Sequence, residues 1–283
     1  MKFLSFFLIL IFCCKASTAQ LIVTEEDKAI FNQKLALLQN MQHKTIDSYT
    51  NQLVLLGKSF LGTPYKEKTL EIGATESLVV NLRGLDCTTF VENTLALSLL
   101  TKNTEHNFSA FTENLKQIRY RNGVLDGYAS RLHYFTDWIR NNEKKGLVKN
   151  ITSDLGGIEI QKPINFMGTH RDLYPFLKDD KNFKGVLKTE AELAKETLCY
   201  LPQKDIESQE KNIASGDIIA LATSIKGLDV THTGFALKMP NGRIHLLHAS
   251  SSGEVKISEE PLADYLKKIK NNIGIIVARP VSN

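Results

Sequence analysis

Apolar residues recur at helical spacing through the first half of the chain and gather into short runs towards its end. From Glu25 to Gln42, Ile30, Leu35, Leu37, Leu38 and Met41 mark one face behind an acidic start, which predicts a helix. Ser48 to Leu61 predicts a second, stopped by Gly62 ahead of Thr63-Pro64-Tyr65. A third begins at Cys87: Val91, Leu95 and Leu99 form a row that Phe90 and Leu97 widen, with Asp86 placed to cap it. Phe108 to Arg119 predicts a fourth helix. A polar turn at Asn122-Gly123, an aromatic segment from Tyr128 to Trp138, and short strands and loops to Pro202 follow. From Gly216 the pattern becomes strand and turn. Asp217 to Ala222 reads as a buried strand, and Thr233 to Lys238 and Ile244 to Ala249 as a hairpin about Pro240-Asn241-Gly242. Glu254 to Ile257 and Ile275 to Ala278 add short strands around a helix at Pro261 to Ile269. Helices early and an antiparallel sheet late define an α+β fold, with the Cys87 helix packed on the sheet.

The first residues bear on location. Met1-Lys2, the apolar run Phe3 to Cys14 and the small residues Ala16-Ser17-Thr18-Ala19 form an export signal with cleavage expected after Ala19. Twelve apolar residues are too few to span a bilayer. Soluble export to the periplasm is therefore expected. Cys13 and Cys14 raise lipid anchoring as the lesser alternative, since neither follows the small residue that such processing prefers. The expected division is 1–19 signal peptide, 20–47 N-terminal helical segment and 48–283 main domain, with an insertion over about 105–205. Loss of Lys2 and Lys15 lowers the net charge from +4 to +2, too weak a field to suggest nucleic acid. Of four cysteines, Cys87 and Cys199 remain. They could pair as a disulfide in an oxidising compartment, but Cys199 reads as core and Cys87 as part of a site, which favours two free thiols.

A cysteine in the first turn of a helix meets free backbone N–H groups and the positive end of the dipole, which favour thiolate. The competing reading is a small buried hydrophobe. A nucleophile needs a base, and the base an orienting group. Among seven histidines, His43 and His106 read as solvated surface. His232 opens a strand beside Gly234, a residue that permits close approach of another backbone. His248 lies within an apolar run of the partner strand and needs a hydrogen-bond partner there. The hairpin register tests the pair. A three-residue loop pairs Met239 with Arg243, sets His248 opposite Gly234 and puts both histidines on one face; a two-residue turn separates them.

Gly62-Thr63-Pro64-Tyr65, Asp86-Cys87-Thr88-Thr89-Phe90-Val91, Gly216-Asp217-Ile218-Ile219, His232-Thr233-Gly234 and His248-Ala249-Ser250 together resemble the NlpC-type papain-like cell-wall peptidases. Thr88-Thr89 departs from the usual Ser-Gly, and the spacing from Cys to His is long. The strings from Glu76 to Arg83, Arg131 to Phe135, Asn165 to His170 and Gly227 to His232 are similar to a sub-family, the AmiA-like N-acetylmuramoyl-L-alanine amidases, over roughly Ser48 to Pro280. That resemblance implies a papain-like fold and hydrolysis of the muramoyl–L-alanine amide of peptidoglycan fragments, notably anhydro-muropeptides. It implies Cys87 as nucleophile, His232 as base and His248 as third member, with Tyr65 and the Cys87 N–H near the oxyanion. Asp86 matches a position that reads a peptide amine in related endopeptidases, and in an amidase is expected to serve only as a cap. Arg131 suits a stem-peptide carboxylate; Tyr134 and Trp138 suit a sugar face; His133 and His170 join them as binding candidates. Glu76 and Asn81 match the sub-family as either substrate contacts or loop supports.

Rival readings remain at this level. They are a D-glutamyl–diaminopimelate endopeptidase with the same triad, an acyltransferase, a catalytically silent peptidoglycan-binding module, and a zinc amidase using His133, His170, His232 or His245. No zinc-binding spacing supports the last, so no metal or cofactor is expected. A monomer without nucleic-acid partner or stable membrane span is expected.

Overall fold

The computed structural model describes residues 20–43, 49–102 and 104–281. The expected signal peptide with Cys13 and Cys14, and Ser48 at the start of the second expected helix, lie outside these residues. The chain opens with β1 (Leu21–Ile22), α1 (Glu25–His43) and α2 (Tyr49–Lys58), then β2 (Leu78–Val79), α3 (Cys87–Ser98) and α4 (Phe108–Arg119). The middle carries α5 (Phe135–Lys144), β3 (Val148–Asn150), β4 (Ile158–Ile160), α6 (Phe166–Thr169), α7 (Asp180–Leu193), β5 (Leu198–Pro202) and α8 (Ile206–Gln209). The end is β6 (Ile218–Thr223), β7 (Val230–Lys238), β8 (Ile244–Ala249), β9 (Val255–Ile257), α9 (Leu262–Lys267) and β10 (Asn272–Pro280).

The fold is α+β. Its main sheet runs β4-β5-β10-β6-β7-β8-β9, with β3 also on β10, and every pairing in it is antiparallel. Strands β6 and β8 are buried along their whole length because both faces of the sheet are covered. Ile218, Ala220 and Phe235 join the helical core with Phe90, Val91 and Leu95, whereas Ile219, Leu221 and Leu246 pack with Leu262 and Leu266 on the other side. Helix α3 is buried from Thr89 to Ser98 between α2, α4 and β7. Each large apolar side chain it buries is worth roughly 2 kcal/mol, so the helix that begins with Cys87 is a central structural member. The expected insertion is woven into the sheet, since β3 and β5 both pair with β10. Helix α7 was not legible as a helix: its buried side comprises only Val186, Leu193 and the polar Glu190, too thin a stripe to see.

The β7–β8 hairpin takes the longer loop. Phe235 pairs with Leu247 and Lys238 with Ile244, and Met239 N–H donates to Arg243 O at 2.9 Å. Gly234 is required there, because a Cβ would meet Leu247 O at 2.6 Å and His248 Cβ at 2.9 Å. Gly216-Asp217 is structural: Gly216 has φ +90, and buried Asp217 takes two bonds from Arg279 at 2.8 and 2.7 Å, fixing the entry to β6.

Candidate active site

Asp86 caps α3 from an extended conformation. Its Oδ1 accepts from Thr89 N at 2.7 Å, and Thr89 Oγ1 accepts from Asp86 N at 2.9 Å. This reciprocal box is worth about 1 kcal/mol, and it accounts for Thr89 where the resemblance led to glycine. Cys87 follows as the first helical residue, half-buried and free of any disulfide, as is Cys199. Its thiol is pushed up to about 11, by burial first and then by the Asp86 carboxylate, with backbone and side-chain bonds from Thr233 and Thr88 opposing. The helix terminus therefore does not produce a resting thiolate, contrary to the expectation from the dipole. Desolvation and the adjacent carboxylate outweigh it.

The histidines arrive on β7 and β8. Leu221 pairs with His232 but Ala222 with Val230, so Thr231 is an extra residue in the strand. Such a bulge re-aims the side chains next to it. His232 Nε2 lies 2.6 Å from His248 Nδ1, with the rings at 88°. His248 is 1 % exposed and has Tyr265 on its other side. Burial lowers His232 to about 4; burial, then His232 and Lys256, lower His248 to about 3. Both rings are neutral at pH 7. With Nε2 engaged, Nδ1 is the His232 nitrogen left for proton transfer. Thr233 Oγ1 donates to Cys87 O at 3.0 Å, tying the histidine strand directly to the start of α3.

A cavity of about 290 Å³ opens beside these groups, lined among others by Asp86, Cys87, Arg131, His133, Tyr134 and His232. Tyr65 is not among its lining residues but stands near Cys87 and Asp86; burial, then those two charges, raise its phenol to about 12. Arg131 is already engaged: its guanidinium lies 3.4 Å from both Glu71 and Glu76 and over the Tyr128 ring. A substrate carboxylate would have to compete with two internal ones. His133 packs against Tyr128 with the rings tilted at 46°, and its Nε2 meets Tyr128 O at 2.9 Å; burial lowers it to about 3. Tyr134 is 2 % exposed, donates to Glu190 Oε1 at 2.7 Å and accepts from Met167 N, which leaves no open ring face for a sugar.

Two expected residues are not brought to the cavity. Trp138 is fully buried and stacks on Phe135 in the core, and His170 stacks on Phe166 in a separate surface cleft. The histidines weighed for zinc are likewise dispersed, with His245 Nδ1 on Ser258 O, and no metal-holding group of three His, Cys, Asp or Glu occurs among the described residues. Glu76 and Asn81 support loops: Glu76 accepts from Tyr120 Oη, and Asn81 Oδ1 takes the N–H groups of Arg83 and Gly84.

Sequence reasoning missed Asp229, a buried cavity residue whose carboxylate takes Thr136 N, Thr136 Oγ1 and Val230 N, each at 2.8 Å. It joins the start of α5 to the bulge before His232. Tyr128 and Glu71 were missed as well, and only proximity in the fold reveals them. Gly227 O accepts from Asn165 N and Phe166 N, so two of the family-like strings are one contact.

The helix-capped Cys87 and the His232 of a histidine pair line the same cavity, and comparison with known proteins shows which family the chain belongs to. Residues 55–275 match the AmiA-like family, described as N-acetylmuramoyl-L-alanine amidase-like, and the chain belongs to that family. A solved N-acetylmuramoyl-L-alanine amidase from Bacteroides uniformis is 36 % identical, with a TM-score of 0.78 over 83 % of this chain and 99 % of its own. A Bacteroides fragilis protein provisionally called a xylanase is 41 % identical, with a TM-score of 0.74 over 79 % and 98 %. Protein LPG0564 of Legionella pneumophila is 25 % identical, with a TM-score of 0.64 over 90 % and 96 %. No protein of curated function matches. Among the described residues, no helix is long and apolar enough to cross a membrane.

Proposed function

We propose that this protein is an exported cysteine amidase that hydrolyses the N-acetylmuramoyl–L-alanine bond of peptidoglycan fragments, acting as a monomer with a papain-like, NlpC-type site. The observation that carries the reading is the 2.6 Å His232–His248 contact on strands bonded to the Cys87 turn. Cys87 Sγ attacks the lactyl carbonyl while His232 Nδ1 takes the thiol proton, and the Cys87 N–H faces the developing oxyanion. His232 then protonates the departing alanine nitrogen, leaving a muramoyl thioester. Water, deprotonated by the same nitrogen, attacks the thioester and returns the thiol. His248 accepts from His232 Nε2–H and holds the tautomer in which Nδ1 is a base.

A xylan-cleaving reading, prompted by the Bacteroides fragilis relative, would need two carboxyl groups free to act as acid and base. Those of the cavity are committed: Asp86 caps α3, Glu92 pairs with Arg119, Glu71 bonds Tyr128 and Arg131, and Asp229 holds Thr136. The deciding experiment is mass spectrometry of a disaccharide-tetrapeptide muropeptide incubated with the protein and with Cys87→Ala. Free disaccharide and intact stem peptide from the wild type alone are expected. A disaccharide retaining L-Ala-D-Glu would move the cut to the endopeptidase bond, and no cleavage would leave a binding module.

A further inference from the structure

Residues 20–54 precede the stretch matched by the family, yet the first of them reach the approach to Cys87. The segment from Leu78 to Leu82 is extended, and three alternate N–H groups point into the N-terminal segment. Leu78 N donates to Gln20 O and Val80 N to Ile22 O, each at 2.9 Å, along the parallel β1–β2 ladder. The next rung has no backbone partner. Leu82 N donates instead to Asp27 Oδ1 at 2.9 Å, so that a side chain from α1 continues the ladder. Arg83 Nε reaches the same oxygen at 3.2 Å. Asp27 is 1 % exposed, and its other oxygen takes Thr24 N and Thr24 Oγ1.

On its far side the same segment is held by α4 and its cap, and at its start by the cavity residue Arg131, whose Nε lies 3.4 Å from Glu76 Oε1. Arg119 Nη1 donates to Val79 O at 2.7 Å, and Tyr120 Oη reaches Glu76 and Ser77 O. Beyond Leu82, the Asn81 turn and the Leu85–Pro64 backbone bond lead straight into Asp86 and Cys87. The segment is therefore a strap with the cavity wall at one end and the thiol at the other. The N-terminal segment grips it in the middle.

We infer that the N-terminal segment is a working part of the active site and that Asp27 is a positioning residue, fixing Cys87 through the strap. The inference rests on Cys87 as the nucleophile. A carboxylate serves this purpose because one group must satisfy a buried N–H on the strap and the Thr24 cap of its own helix together. Small displacements of a nucleophile from attack geometry reduce turnover far more than substrate binding.

The test compares Asp27→Asn, Thr24→Ala and a form lacking residues 20–22. Two readouts are used: kcat and KM on the muropeptide, and iodoacetamide alkylation of Cys87 relative to Cys199 in the same molecule. Asp27→Asn and the truncated form are expected to lower kcat about tenfold or more with KM little changed, and to alter the Cys87 to Cys199 alkylation ratio. Thr24→Ala, which weakens the α1 cap but leaves the Leu82 bond, is expected to leave both near wild type. If Thr24→Ala and Asp27→Asn lose activity alike, in step with melting temperature and with an unchanged ratio, Asp27 is only a helix cap and the inference fails. Absence of wild-type hydrolysis would refute the proposed substrate; the alkylation ratio would still decide the role of Asp27.

Discussion

A thiol near 11 beside an imidazole near 4 keeps its proton at rest, because burial acts on both groups against charge and Asp86 adds to it on the sulfur. No carboxylate stands as third member to raise His232; its neighbour is a neutral histidine whose own surroundings, including Lys256, oppose protonation. In the mechanism proposed, attack is then coupled to proton transfer and does not draw on a preformed ion pair. The sign for pH follows directly. His232 acts as a base only when deprotonated, and its lowered value means that it stays so down to about pH 4. The acid limb of kcat/KM is expected near 4 and not near 6.5. Iodoacetamide labelling of Cys87 is expected to rise only towards alkaline pH, where the thiol at about 11 begins to ionise. A pH–rate profile checks the first statement and a pH series of labelling the second; a limb near 6.5 with fast neutral labelling would show a thiolate–imidazolium pair instead.

At the scale of elements, the site depends on how α3 is held as much as on its first residue. Buried Glu92 of α3 pairs with buried Arg119 of α4 at 2.7 Å, and Arg119 also reaches the strap at Val79. Removing one member leaves a charge without its partner in the core, which costs about 3–5 kcal/mol. Arg119→Met is therefore expected to lower unfolding stability by about that amount, and Glu92→Met/Arg119→Met to recover most of it, in denaturant titrations. Additive losses would show that the pair is not coupled. Most elements were legible because their periodicity was strong: α3 by Val91, Leu95 and Leu99, and β6 by an unbroken apolar run that only a sheet covered on both faces supports. The sequence left the hairpin register open between a two- and a three-residue turn; the structure takes the longer loop, with Gly242 at φ +81, and so brings His232 to His248. That Trp138 lies in the core was not legible, because aromatic residues on a short helix carry no sign of which side faces a cavity; Tyr134, just before that helix, lines the cavity with its ring buried. Arg131 lines the cavity as expected, but its internal partners, Glu71 and Glu76, lie 60 and 55 positions earlier, beyond any local pattern.

Over the whole molecule, distant stretches converge on one cavity, among them the Asp86-Cys87 turn, the wall from Tyr128 to Tyr134 and the start of β7 up to Thr233. The strap that begins at Glu76 joins the first two through the Glu76–Arg131 ion pair, and the Asp229–Thr136 bonds join the start of α5, next to the second, to the third. The N-terminal segment, outside the matched family stretch, reads from sequence as an added helix; that it grips the strap depends on the side chain of Asp27 and had no local signal. Such a frame holds Cys87 and His232 in place before substrate arrives, which is what the proposed acyl transfer through a neutral cysteine requires. The central claim is that Cys87 carries the muramoyl group as a thioester. Rapid acid quench of the protein with a disaccharide-tetrapeptide, followed by mass mapping of the Cys87 peptide, tests it most directly. The account predicts an adduct of the disaccharide's muramoyl group alone on Cys87, absent in Cys87→Ser as a thioester. An adduct that retains L-Ala-D-Glu, or hydrolysis that persists without Cys87, would contradict it.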